Sequence, residues 1–294
     1  MQIHSPIQQI QYQSLNPIWV KRDDLIDPYI SGNKWRKLKY ILAKAIAQQQ
    51  THLVTFGGAY SNHLVATAAA AARAGLTTTA FVRGEKVANE VLLLCQLFGM
   101  QLIFVDRESY RNKKMLFEHH FAADKNAYFI DEGGAGTEAV RGCAEIVDEF
   151  KPAHFDYLFC AAGTGTTAAG LLKGINNLQL ATELHVVPVL KDNGFIIDEI
   201  AKYESNLSRL KVHADYHFGG YAKTTPELLQ FTANFTSQTG LLVDPVYTAK
   251  MFYAINDLSS KNYFKKEAKI LAIHTGGLLG ILGMKEKFNE LLGR

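Results

Sequence analysis

The stretch Ile30-Ser31-Gly32-Asn33-Lys34-Trp35-Arg36-Lys37-Leu38-Lys39 places a lysine in the first turn of a helix, directly after a glycine turn. From there the apolar residues fall at Trp35, Leu38, Ile41, Leu42, Ala45 and Ile46. That is helical spacing, and it predicts one buried stripe on a helix over roughly 34–48. Asn33 is the expected N-cap, because its side chain can accept from the free amides of the first turn. Lys34 then stands at the positive end of the helix dipole, beside Arg36 and Lys37. Both effects disfavour a further positive charge, so its amine is expected to give up its proton readily. Such an amine can form a Schiff base with an aldehyde cofactor. For a lysine taken alone, the commoner reading is a solvated residue on a basic helix. The rest of the chain has to decide.

Outward from this helix, strands and helices alternate. Residues 1–30 read as an irregular arm with one strand, Ile18-Trp19-Val20, followed by Lys21-Arg22-Asp23-Asp24. The two adjacent carboxylates point different ways, which suits capping or ion pairing better than paired acid–base work. Further strands are expected at His52–Phe56, Thr77–Val82, Leu102–Val105, Tyr128–Ile130, Tyr157–Ala161, Leu184–Val189 and Ile270–Ile273. Helices are expected at Asn62–Ala74, Asn89–Phe98, Tyr110–Ala123 and Thr137–Phe150, after Thr167, over 225–238 and 246–259, and at the end. The alternation implies an α/β fold of open, twisted sheets covered by helices on both faces. Proline after a helix puts a domain boundary near Lys151-Pro152.

Bulk properties exclude several classes. The 294 residues suffice for two ordinary domains or one large one. A net charge of +3, with basic residues dispersed outside 34–39, gives no argument for nucleic acid. Cys95, Cys143 and Cys160 are far apart and form no Cys-x-x-Cys pair, so neither disulfides nor a metal site is expected. No apolar run reaches membrane-spanning length, and the start lacks the pattern of a secretory signal. A cytoplasmic protein without a membrane partner is the default.

Glycine-rich turns follow three of the strands, at the carboxyl ends where open α/β sheets bind ligands. Gly57-Gly58-Ala59-Tyr60-Ser61-Asn62-His63 opens a helix, and Ser61 and Asn62 bring donors there; a simple Ser N-cap reads equally well. Gly163-Thr164-Gly165-Thr166-Thr167 joins a strand to a helix N-terminus, which makes a phosphate cradle from free amides. Gly163, Gly165 and Ala168 also match a dinucleotide fingerprint, which wants an acidic residue ending the next strand. That strand runs into Val189-Leu190-Lys191, with Asp192 only after the lysine. An NAD(P)-binding oxidoreductase is therefore the second reading. His274-Thr275-Gly276-Gly277 alone reads as a structural turn, and Tyr247 alone as a core or interface tyrosine. Together, a phosphate cradle, an activated lysine on another segment and polar side chains between them fit pyridoxal phosphate.

Lys21-Arg22-Asp23-Asp24, Gly32-Asn33-Lys34-x-Arg36-Lys37-Leu38, Gly57-Gly58-x-x-Ser61-Asn62-His63, Gly163–Thr167 and Asp244-Pro245-Val246-Tyr247 come in this order. With these motifs at fitting distances, the chain resembles the 1-aminocyclopropane-1-carboxylate deaminase / D-cysteine desulfhydrase family over nearly its whole length. The resemblance implies a fold type II, tryptophan-synthase-β-like enzyme. Residues 1–46 and 152–294 would form a large cofactor-binding domain and 47–151 a small inserted one, with pyridoxal phosphate in the cleft between. Lys34 would carry the cofactor as a Schiff base and shuttle the Cα proton. Asn62 would bond the phenolic oxygen, and Gly163, Thr164, Gly165, Thr166 and Thr167 would cradle the phosphate. Ser61, Tyr247 and the Tyr221 of Gly219-Gly220-Tyr221 would face a small amino-acid substrate. A homodimer is expected.

Two positions bear on the reaction. Deaminases of the family typically carry glutamate and leucine where this chain has Thr248 and Thr275, as desulfhydrases tend to have. A carboxyl group beside the pyridine nitrogen holds a proton there and deepens the electron sink, whereas a hydroxyl leaves it shallow. Elimination from D-cysteine to pyruvate, ammonia and sulfide is therefore expected. Cyclopropane opening is the alternative within the family, and a binding protein without turnover is the non-enzymatic one. Tyr60 replaces a usual glutamine and Ser31 a usual glycine, and Tyr60 puts the shape of the substrate pocket in question.

Overall fold

The computed structural model describes residues 4–13, 16–150, 153–191 and 194–293. The boundary expected at Lys151-Pro152, and Asp192 of the dinucleotide argument, lie outside the described residues.

Strand β1 (Ile7–Ile10) pairs antiparallel with β2 (Ile18–Lys21). Helix α1 (Asn33–Ala47) follows. Then come β3 (His52–Gly58), α2 (Asn62–Arg73), β4 (Thr77–Arg83), α3 (Glu90–Leu97), β5 (Met100–Val105), α4 (Lys113–Phe121) and β6 (Ala127–Phe129). Helix α5 (Thr137–Asp148) leads to β7 (Tyr157–Ala162), α6 (Thr166–Asn177), β8 (Glu183–Pro188), α7 (Phe195–Ala201) and β9 (Leu210–Val212). The chain closes with α8 (Pro226–Thr239), α9 (Thr248–Ser260), β10 (Ile270–Ile273) and α10 (Lys285–Leu291).

The strands form two sheets, ordered β1-β2-β10-β7-β8-β9 and β5-β4-β3-β6. Apart from the β1–β2 pair, every pairing is parallel. Parallel strands covered on both faces read as continuous apolar runs. β7 shows why: Tyr157, Phe159 and Ala161 join a core with α8 and α9, while Leu158, Cys160 and Ala162 join the opposite core with α5 and α6. Successive residues point to opposite faces, so a strand buried on both needs apolar side chains throughout. In the smaller sheet, Ala80 and Val82 pack on α2 and α3, and Phe56 and Phe81 on the side of α4.

Helix α1 stands between the sheets. Ile41 and Ala45 share a cluster with Leu53, Ala71 and Ile130, and Leu38 packs on Ala66, Ala69 and Ala70. Ile46, expected in the buried stripe, lies in the last turn of α1 and is 52 % exposed. Arg36 and Lys37, the positive charges beside Lys34, are both buried. The arm carries two strands rather than one, and the helix expected over Tyr110–Ala123 is split into a 3-10 turn at Ser109–Arg111 and α4. Among the described residues, no helix is long and apolar enough to cross a membrane.

Candidate active site

The start of α1 is locked onto the end of β10. Gly32 has φ +61°, and a β-carbon there would stand 1.9 Å from the Thr275 carbonyl oxygen. Only glycine tolerates both the left-handed backbone and the contact. The Asn33 N–H donates to that same carbonyl at 3.2 Å. Gly32 is therefore the N-cap, and Asn33 makes no capping bond. The Asn33 side-chain amide instead donates to the Thr167 hydroxyl at 3.0 Å, which joins the lysine helix to the glycine-rich turn. The Ser31 side chain fills the space beside Gly276.

Lys34 follows within the first turn of α1. Its Nζ lies 3.5 Å from the Gly133 carbonyl oxygen, and the buried Lys37 donates to the same oxygen at 3.0 Å. Burial lowers the Lys34 pKa well below the ordinary lysine value, and the like charge of Lys37 adds to the effect. Arg36 does not contribute as the sequence suggested. It is enclosed between Asp23, at 2.8 Å, and Glu149. Burial opposes its charge, but hydrogen bonds to Glu149 and Asp23 outweigh that and raise its pKa. Lys21 joins the same network through Glu149 at 2.8 Å. The carboxylate of Asp23 thus serves ion pairing, and Asp24 likewise pairs Arg22 at 2.8 Å.

The glycine-rich turn closes the site from below. Gly165 has φ +71° and caps α6, so Thr166 and Thr167 open the helix with the unsatisfied amides of its first turn. Thr164 and Thr166 hydroxyls lie 3.2 Å apart. A β-carbon on Gly133 would stand 3.5 Å from Thr164 Cγ2 and 4.0 Å from Lys34 Nζ, so Gly133 bridges the lysine and the turn. The Tyr247 ring lies over Gly163, with Cε1 3.2 Å from the position a β-carbon would take. Tyr221 meets Tyr247 edge to face at 6.1 Å. Burial, then the neighbouring Tyr221, raise the Tyr247 pKa well above the phenol value, so its hydroxyl keeps its proton.

From the smaller sheet, Ser61 is the N-cap of α2 by position, yet its hydroxyl makes no capping bond. It folds back towards Gly57, where a β-carbon would stand 2.8 Å from Ser61 Oγ. The Asn62 side chain reaches across to the turn after β10, with Nδ2 2.9 Å from the β-carbon position of Gly277. The site thus brings together Lys34, Asn62, Thr167 and Thr275 from four separate segments. Thr248 stands apart: it is fully buried and its hydroxyl donates to Asp244 Oδ1 at 2.8 Å. Tyr60 also stands apart. Its ring rests on Gly283 and lines a groove with Leu93, Phe104 and Leu282 that includes neither Lys34 nor Tyr247.

Sequence reasoning missed Lys37. The signal was its i+3 spacing from Lys34, which puts both amines on one helix side. Among the described residues, no carboxylate pairs with Lys37. A buried ammonium with a carbonyl partner, beside a helix N-terminus of free amides, suits a phosphate-bearing ligand. A low-pKa amine on Lys34 suits an aldehyde. These residues therefore fit pyridoxal phosphate: Lys34 for the aldehyde, and Gly163–Thr167 with Lys37 for the phosphate.

Fold and site together define a pyridoxal-phosphate-dependent enzyme of fold type II. The family described as pyridoxal-phosphate dependent enzyme matches residues 4–276. A Thermotoga maritima protein provisionally named 1-aminocyclopropane-1-carboxylate deaminase is 34 % identical over 289 residues, covering 92 % of this chain and 91 % of that protein. The Arabidopsis thaliana bifunctional D-cysteine desulfhydrase/1-aminocyclopropane-1-carboxylate deaminase, mitochondrial, is 31 % identical, covering 94 % of this chain and 76 % of that protein. A crystal structure of an ACC deaminase homologue superposes with TM-score 0.87 at 31 % identity, covering 98 % of this chain and 94 % of that one. The chain belongs to the pyridoxal-phosphate-dependent enzymes of the 1-aminocyclopropane-1-carboxylate deaminase family.

Proposed function

We propose that this enzyme eliminates sulfide from D-cysteine, or a similar small amino acid, giving pyruvate and ammonia. The observation that carries the reading is Thr248 and Thr275, where deaminases of the family typically carry glutamate and leucine, so that neither position offers a carboxyl group. The Thr248 hydroxyl is spent on Asp244, which leaves Thr275, buried at the end of β10, as the group for the ring nitrogen. When bound, pyridoxal phosphate supplies the electron sink that acidifies the amino acid's Cα–H.

The chain's own residues do the rest. Lys34 Nζ is the general base that takes the Cα proton, and burial, which lowers its pKa well below the ordinary lysine value, favours the free amine that this task needs. Tyr247 holds its proton and acts as a hydrogen-bond donor towards the substrate, backed by Tyr221. Ser61 offers a hydroxyl with no capping duty. Asn62 and Thr167 orient the cofactor ring and phosphate. A departing thiolate carries electrons away from Cβ, so a shallow sink at the ring nitrogen suffices. Cyclopropane opening has no such leaving group.

The deaminase reading is favoured by the names of relatives such as the Thermotoga protein. Keto-acid release from D-cysteine and from the cyclopropane amino acid, under identical conditions, separates the two. D-cysteine should be the faster substrate; faster turnover of the cyclopropane compound assigns the deaminase instead. We further propose a cytoplasmic homodimer, which light scattering tests for the assembly. The division into 1–46 with 152–294 and 47–151 is likewise a proposal. Helix α5 argues for an earlier boundary, since Val140, Cys143 and Ile146 pack in the core of the larger sheet.

A further inference from the structure

Lys250 lies on α9 and is fully buried. Its ammonium donates to three backbone carbonyls: Val189 at 3.2 Å, His217 at 2.8 Å and Gly220 at 2.9 Å. Among the described residues it forms no salt bridge. Burial draws its pKa down to about 8, against the opposing charge of Asp244. A buried charge held only by carbonyls is expensive where a methionine would fill the same space. Its placement calls for a task.

The three carbonyls come from two separate segments. Val189 follows β8, while His217 closes a 3-10 turn (Ala214–His217) and Gly220 lies in the loop that runs on from it through Tyr221 and Ala222. That loop is strained: Phe218, Gly219, Gly220 and Ala222 have φ of 50°, 91°, 116° and 55°. Two of these residues are not glycine, and each costs energy in the left-handed region. Such strain persists only where the surrounding structure holds it in place. A cluster of inward carbonyls is also the coordination a bare monovalent cation takes in place of its hydration shell.

We propose that Lys250 is a positioning residue, a built-in monovalent cation that draws the 217–222 loop onto β8 and so sets Tyr221 against Tyr247. The proposal rests on the reading of Tyr221 as a substrate-facing residue. Removing the ammonium leaves three carbonyls pointing at one empty point, which a small free cation can fill.

The test is Lys250→Met in the holoenzyme, assayed in choline chloride and in ammonium or potassium chloride at equal ionic strength. In choline the variant should keep its cofactor absorbance, while kcat for keto-acid release falls roughly 10- to 100-fold through a misplaced tyrosine. Ammonium or potassium should restore turnover in a saturable way and raise the variant's melting temperature, with no such effect on the wild type. A variant that folds only with ammonium or potassium supports the proposal equally. Turnover by the variant in choline at the wild-type level overturns it. So does a loss of activity, of thermal stability or of folding that no small cation repairs, because that marks Lys250 as packing alone. If the wild type turns over no amino acid, the substrate reading has failed, and the cation dependence of melting decides this proposal by itself.

Discussion

The side-chain amide of Asn33 donates to the Thr167 hydroxyl at 3.0 Å, and this bond joins the helix that carries the lysine to the helix that opens the phosphate cradle. The two residues are far apart in sequence, so their pairing fixes a distance that neither helix sets alone. Asn33→Ala should weaken cofactor binding by roughly threefold to tenfold, the range of one lost hydrogen bond. Titration of the apoenzyme with pyridoxal phosphate, followed by absorbance, measures it. Unchanged affinity would show that the cradle holds its place without the bond.

Gly165→Ala probes the cradle itself. The backbone at φ +71° penalises any side chain, and the new β-carbon would stand 3.0 Å from Glu199 Cβ. The variant should lose about 1–2 kcal/mol of stability and bind the cofactor more weakly. Wild-type affinity in a variant that shows the stability loss would put the phosphate elsewhere.

Arg36→Met strips the centre from a buried charge network. Asp23 keeps only Lys21, at 3.9 Å, as a charged partner, and it has no exposed surface through which water could replace the guanidinium. Breaking such a pair costs about 3–5 kcal/mol. Denaturant unfolding should show a loss of that order. A loss under about 1 kcal/mol would mean that Lys21 and the Ser5 hydroxyl, which donates to Asp23 at 2.5 Å, compensate the carboxylate in full.

Acid should destabilise the fold through its histidines before its carboxylates titrate. His185 is buried and its Nδ1 lies 2.8 Å from His213 Nε2. Burial lowers its pKa from 6.5 to about 3, with the neighbouring His213 adding to the effect. The unfolded chain then binds a proton that the folded chain refuses between those values. This share of stability is complete above pH 6.5 and is lost as pH falls towards 3. His63, buried behind Thr55, shifts the same way. Stability against pH between 6.5 and 5 should be flatter in His185→Phe than in the wild type. An identical slope would assign the acid sensitivity to other groups.

Much of this molecule could be read from its sequence, and the limits have physical causes. Strands such as Ile270–Ile273 announced themselves because both faces are buried and every residue is apolar. β1 did not: Ile7 and Ile10 flank two glutamines, and the strand exists through its pairing with β2. β9 is three residues long and α7 seven, both too short for a period to show. At the site, the glycine turns marked the carboxyl ends of β3, β7 and β10. The pairing of Arg36 with Asp23 and Glu149 was hidden, because its partners come from distant parts of the chain and their charges cancel only in space. The same holds for Asn33, where a local capping rule lost to a tertiary hydrogen bond. Thr248 was read by its position in a motif, and its hydroxyl turned out to serve Asp244.

In the proposed mechanism Lys34 both holds the cofactor and moves the proton. Borohydride reduction of the purified holoenzyme, followed by digestion and mass spectrometry, tests that most directly. The label should appear on the peptide containing Lys34, with Lys37 and Lys250 unmodified, and Lys34→Ala should take up none. A label on any other lysine, or an unreduced Lys34 in protein that retains its visible absorbance, would contradict it.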